Sequence, residues 1–230
     1  MPRTDGKSNP FHHARELAGR KFFLLFLFLL ASLLFYPYAE GSSFGYYAFR
    51  VLGSTAIILC VYAVSFRRSL LVVAIILAVP ALLHRVLNLS VSGSSLSILN
   101  IALSFVFDVF IVIVIFRRVF APSQPNSETI FGALSVYLLV GFAFASIYGM
   151  IAAIQPRAFY LDPMANVHSF PDRLDCVYYS FATMSSLGAA GIIPVSGEAQ
   201  CISAIETIVG LLYLAVLISR LVGAYRHPAA

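Results

Sequence analysis

Pro171-Asp172-Arg173, then Leu174-Asp175-Cys176-Val177-Tyr178-Tyr179-Ser180-Phe181-Ala182-Thr183-Met184, then Ser185-Ser186-Leu187-Gly188-Ala189-Ala190-Gly191-Ile192-Ile193-Pro194: the reading of this stretch decides the fold. The run Leu174–Met184 is apolar and aromatic, and an acid stands before it in a place that suits a helix N-terminus. It is too short to cross a bilayer, which takes roughly 20 residues. It then breaks into small residues and glycine and returns in extended form to Pro194. A short apolar helix followed by such a return is a re-entrant segment, and that backbone is tolerated at membrane depth only where protein or a water-filled cavity surrounds it. The connection holding it, Gln155 to Ala199, is about 45 residues long, far beyond a simple link.

Working outward, the rest of the chain supplies a membrane to re-enter. Of 230 residues 60% are hydrophobic and 11% charged, with 20 Phe and no Trp; soluble domains carry about 25% charged residues. Six runs are long and apolar enough to span: Phe22–Tyr38, Tyr47–Phe66, Ser69–Leu87, Ser97–Phe116, Thr129–Ile154 and Gln200–Gly223. The first follows a basic stretch, but Tyr38-Ala39-Glu40-Gly41 is a poor cleavage site, so it reads as a retained span. The expected fold is an all-α membrane protein of six transmembrane helices, with a re-entrant pore helix and filter loop between the fifth and sixth.

The net charge of +5 does not point to nucleic acid, because Lys and Arg stand at the ends of apolar runs and form no basic face. Eleven of the fifteen fall on the side of the N-terminus and four (Arg50, Arg85, Arg157, Arg173) on the other. By the positive-inside rule both termini are cytoplasmic and the long connection is outside, which suits a cytoplasmic (inner) membrane. Ala121-Pro122-Ser123-Gln124-Pro125-Asn126-Ser127-Glu128 divides the chain: two prolines break one helix, and Asn126 or Ser127 can cap the next. The expected parts are an N-terminal tail (1–21), a four-span domain (22–120), a linker (121–128), a pore-type domain (129–223) and a C-terminal tail (224–230). Cys176 and Cys201 both fall near the outer ends of pore elements; a bridge is compatible with an oxidising side, and free thiols are the preferred reading.

At Ser180–Pro194 the sequence resembles the two-transmembrane potassium-channel pore family, whose pattern is roughly S-F-x-T-x-T-T-[VL]-G-Y-G-D-I-x-P. The spacing from Gly188 to Pro194 matches without a gap, and Ile205–Gly223 looks like the inner helix of prokaryotic members. The resemblance covers about Thr129 to Gly223. It implies a homotetramer in a lipid bilayer, with four loops around one axis whose carbonyls replace the hydration shell of a monovalent cation. By position the filter is Ser186, Leu187, Gly188, Ala189, Ala190 and Gly191, with ion ligands at the carbonyls of Ser186, Leu187, Gly188 and Ala189 and at the Ser186 hydroxyl. Gly210 falls where a gating hinge would be useful. The permeant ion is potassium or another monovalent cation, and no cofactor is implied.

The departures fall in the outer half of the filter. Ala189 stands for the family's Tyr, Ala190 for its second Gly and Gly191 for its Asp. A left-handed alanine costs roughly 1–2 kcal/mol, and the bracing side chains are missing, so potassium selectivity does not carry over with the architecture. Two further acids are candidates. Asp108, inside the fourth run, is either an interhelical partner or a proton-relay group. Glu206, in the last span, is either a hydrogen-bonding support behind the pore helix or a group that tunes the outer pore. Ser97–Phe116 lacks the arginine periodicity of a voltage sensor. No nucleophile triad, metal-ligand spacing or phosphate loop points to an enzyme. Three functional readings follow: a cation channel subunit, a non-conducting membrane interaction protein that keeps the pore fold, or a proton-coupled transporter built on Asp108.

Overall fold

The computed structural model describes residues 21–35, 38, 43–87, 94–121, 127–166, 171–188 and 191–226. Among them are seven helices and one two-stranded pairing. In chain order these are α1 (Lys21–Leu34), α2 (Ser43–Ala63), α3 (Arg68–Leu87), α4 (Ser94–Phe120), α5 (Ser127–Ile154), β1 (Phe159–Leu161), α6 (Arg173–Met184), β2 (Ile192–Pro194) and α7 (Gly197–Arg226). The chain is therefore all-helical in character. Glu128–Ile154 and Gly197–Gly223 are long and apolar enough to cross a membrane, and Lys21–Leu34, Val51–Ala63 and Arg68–Pro80 are shorter apolar stretches. The first apolar run ends its regular helix at Leu34, with a turn at Phe35, earlier than the expected Tyr38.

The helices pack largely as sequence neighbours, α1 on α2, α2 on α3, α3 on α4 and α4 on α5, and α1 also lies on α5. Leu25, Leu29, Cys60, Ile111, Ile115, Val136 and Leu139 form part of a continuous apolar core that joins the first four helices to α5. Small residues let backbones close up. A side chain at Gly132 would strike Val119 Cγ2 at 2.5 Å and the Phe22 ring at 3.2 Å, so α1, α4 and α5 meet there because residue 132 has no Cβ. Polar ties reinforce the junction. The Glu128 carboxylate accepts from the Phe22 amide at 3.1 Å, and the Ser135 hydroxyl reaches the Phe22 carbonyl at 3.4 Å.

Basic residues from several elements gather at this same end. Lys21 donates to Ser65 Oγ at 3.2 Å and lies 4.3 Å from the Tyr62 ring centroid. Arg118 sits over Phe66 and Arg220 over Phe120, at 5.4 Å and 4.8 Å. At the opposite end a second core forms from Tyr148, Phe159, Leu161, Cys176, Tyr179 and Ile192. It joins α5, α6 and the pairing of β1 with β2, which runs antiparallel with Tyr160 opposite Ile193. Cys176 is buried, Cys201 is exposed and both are free.

α7 is the odd member. It packs on α5, α6 and β2, yet only 17% of its apolar window is buried, against 50% for α5. Ile208, Leu211, Leu212, Val216 and Ile218 are exposed, Leu212 by 60%.

Candidate functional site

The short helix α6 is set by its ends. Asp172 caps it, its Oδ1 accepting from the amides of Leu174 and Asp175 at 2.7 Å each, while Asp175 Oδ2 accepts from the Asp172 amide at 3.0 Å. This reciprocal capping box satisfies donors that a helix N-terminus otherwise leaves open. At the other end the amide of Ser186 donates to Thr183 O at 3.0 Å and that of Leu187 to Ala182 O at 2.9 Å. That pattern is a Schellman stop, which places its residue after the cap in left-handed backbone. Here that residue is Ser186, at φ 58°, where glycine is usual.

The stop has a consequence for the loop that follows. The amides of Ser186, Leu187 and Gly188 all point back at carbonyls of α6, the last to Ala182 O at 3.2 Å. No peptide among the described residues is cis, and across a trans peptide the carbonyl opposes the amide. The carbonyls of Ser185, Ser186 and Leu187 therefore face away from α6 on one side, three in succession. An ordinary strand would alternate them. Ser186 and Leu187 are two of the expected ligand positions, and Ser185 is not one of them. Gly188 has φ +81° with open space where a side chain would stand. Ala189 and Ala190 lie outside the described residues.

Behind α6 the supports are polar and buried. Glu206 is 0% exposed; its Oε1 lies 2.5 Å from Ser180 Oγ and its Oε2 accepts from Tyr148 Oη at 2.5 Å. Ser180 Oγ also donates to the Gly141 carbonyl at 2.7 Å. One carboxyl thus ties α5, α6 and α7 together. On either side of it, Tyr179 Oη meets Ser203 Oγ at 2.7 Å and Thr207 donates to Thr183 O at 3.4 Å. Gly210 lies in unbroken helix, pressed on the end of α6: a Cβ there would run into the Met184 carbonyl oxygen and, at 2.7 Å, its Cγ. Glycine at 210 sets how closely α7 approaches the loop. Gly141 does the same from α5, where a Cβ would lie 2.8 Å from the Phe181 ring.

The far end of the loop is held by a segment that sequence reasoning passed over. Gly191, at φ +88°, offers its carbonyl to the Asp162 amide and to Asn166 Nδ2, both at 2.8 Å. Asn166 Nδ2 also reaches Asp162 O at 3.0 Å, and Asp162 Oδ1 accepts from the Met164 amide at 2.9 Å. A side chain at Gly191 would meet Ala165 Cβ at 2.7 Å. Ala189 and Gly191 stand where the resemblance would put bracing side chains, and the return leg is braced through strand pairing and Asn166. A lone Asn in a long connection gives no sequence signal for such a role.

Among the expected site residues, Ser186, Leu187, Gly188 and Gly210 lie at the end of α6, Glu206 holds its flank through Ser180, and Gly191 stands on the return leg against Asp162 and Asn166. Asp108 stands apart. It lines a separate cavity of about 440 Å³ among α1, α2, α4, α5 and the start of α6. Ser180 and Tyr148, the partners of Glu206, are the functional side chains that spacing alone did not single out. A polar tip on an apolar helix face was the available signal for each.

Residues 134–227 match the model of a protein family described as "Ion channel". The match takes in α5 from Leu134, both strands, α6 and α7, so this part of the chain is similar to ion channels. No curated protein and no solved structure matches the chain.

Proposed function

We propose that this chain, whose residues 134–227 match an ion-channel family, is a subunit of a passive cation channel that forms a potassium-channel-like pore as a homotetramer. The observation that carries the reading is the run of three carbonyls, Ser185 to Leu187, turned to one side of a capped short helix. Four such runs around an axis replace the water a cation loses on entry. The helix that points its last turn at the same place presents partial negative charge there.

One chain cannot close a pore around a single loop. The apolar face of α7, exposed in the single chain, is the surface that further copies would cover, and a ring of identical chains is the closed arrangement for it. In this reading α1 to α5 and α7 are the six spans, α6 re-enters, and the basic cluster at Lys21, Arg118 and Arg220 marks the cytoplasmic side of the inner membrane, where both termini lie. The reading makes the chain a conductor and not an enzyme. Glu206 acts as a structural tie behind the loop.

Purified protein in a planar bilayer, with potassium on one side and sodium on the other, tests this directly. A cation current whose reversal potential follows the ion gradients supports the channel. Passage of neither ion leaves a membrane protein that keeps the pore fold without conducting. Selectivity is tested by Ala189→Tyr combined with Ala190→Gly. That pair raises potassium over sodium permeability if these positions belong to the filter, and an unchanged ratio takes them out of it.

A further inference from the structure

The cavity beside Asp108 has no part in conduction as proposed above, and its lining calls for an account. Along α5 it runs from Leu139 to Ala153, fourteen residues or about 21 Å of helix. At one end stand Ala153 and Arg173, both exposed; at the other stand Leu29, Cys60 and Leu139, all buried. Between them the wall carries Ser32, Ser104, Ser146 and the Asp108 carboxyl. The volume of about 440 Å³ has room for roughly fifteen waters at bulk density.

The placement of charge is uneven. Asp172, at the exposed end, spends its carboxylate on capping α6. Arg173 is also at the exposed end. Asp108 lies deeper, within electrostatic reach of Arg173 and of Cys60. A carboxylate halfway along a membrane helix is costly unless partners or water reach it, and here a cavity with hydroxyls in its wall leads to it. We propose that this cavity is a water-filled crevice, distinct from the pore, that admits small cations to Asp108 from the side on which α6 begins. That side is the outside in the orientation proposed above, and the crevice rests on that orientation only for its name.

The negative end attracts cations down the crevice while Arg173 at its mouth opposes them. Thiol reagents read this without any need for channel activity. Ser104 is one helical turn from Asp108 on the same face, so Ser104→Cys in a chain with Cys60, Cys176 and Cys201 replaced by Ser is the reporter, with Ser146→Cys as a second. Val106, an exposed residue on another face of α4, gives the control Val106→Cys. Proteoliposomes are treated with membrane-impermeant methanethiosulfonates, one bearing trimethylammonium and one sulfonate, and labelling is followed by mass spectrometry.

Both reporters should label from one side only, while the control stays unlabelled. The cationic reagent should win by about tenfold. Asp108→Asn should bring the two rates close together, and Arg173→Gln should speed the cation further. Reporters no faster than the control would mean a closed, dry cavity and would overturn the proposal. A rate ratio unmoved by Asp108→Asn in both reporters would overturn the cation site. Labelling from the cytoplasmic side would overturn the orientation, while the reversal-potential measurement decides separately whether the chain conducts.

Discussion

Replacing Glu206 isolates the tie behind the pore loop. In Glu206→Ala, Tyr148 Oη loses its acceptor at 2.5 Å, whereas Ser180 keeps the Gly141 carbonyl at 2.7 Å. The cost is then one unsatisfied buried hydroxyl, about 1–3 kcal/mol, together with the space left by the side chain, for a total of about 2–4 kcal/mol per chain. Glu206→Gln should behave differently. Ser180 has a single hydroxyl proton and stands between two acceptors. A Gln amide brings a proton of its own toward Ser180 and turns its oxygen to Tyr148, so all three contacts survive. Cys176, buried in the same core as Tyr148 and Tyr179, reports local opening in a chain with Cys60 and Cys201 replaced by Ser. Its reaction with a thiol dye in detergent should speed by about 30- to 1,000-fold in Glu206→Ala and by less than about tenfold in Glu206→Gln. Equal acceleration in both variants, or none in the alanine variant, would refute the account of a shared hydrogen-bond tie.

Gly210→Ala forces a methyl group into Met184, and overpacking of this kind costs about 1–3 kcal/mol; thermal melting in detergent, followed by helical circular dichroism, should show the loss, while Gly223→Ala, which meets nothing and gains helix propensity, does not lower the melt. Asn166→Ala removes two bonds, to Gly191 O and Asp162 O, and should alter the permeability ratio for potassium and sodium without changing the amount of folded protein. Asp172→Ala removes the cap of α6 at a cost of about 1 kcal/mol, and Asp172→Asn, which keeps an acceptor oxygen, should recover most of it in the same melt.

The short helix and the loop after it were legible in the sequence because their signals are local. The run from Leu174 to Met184 had a capping acid, an apolar face and a break into small residues, and the helix found there begins and ends within a residue of that run. Long apolar helices announce themselves in the same way. What could not be read was pairing between distant residues. Asn166 and Gly191 are twenty-five positions apart and meet because two three-residue strands pair, a length too short to leave a pattern. Tyr148 and Ser180 converge on Glu206 through the packing of three helices, which apolar periodicity does not encode. The separation of Asp108 from the filter has the same origin: its place on α4 was plain, and the cavity before it came only from how α1, α2 and α5 lean on each other.

The way α7 is fastened determines how it can move. Its upper part is held to α6 and α5 by short bonds at Ser203 and Glu206 and a longer one at Thr207, and Gly210 lies directly against the end of α6. Below that, the Tyr213 hydroxyl reaches Ala133 O at 2.6 Å, and its ring leans on Phe120 and Tyr137 while Arg220 covers Phe120. Aromatic and cation–π contacts tolerate sliding; hydrogen bonds of 2.5 Å do not. The helix is thus pinned at its head by several hydrogen bonds and lower down by the single bond at Tyr213, and its lower half rests on the last turn of α4. A displacement of α4 reaches the lower half of α7 first, and the loop above feels it only after the bond at Tyr213 has given way.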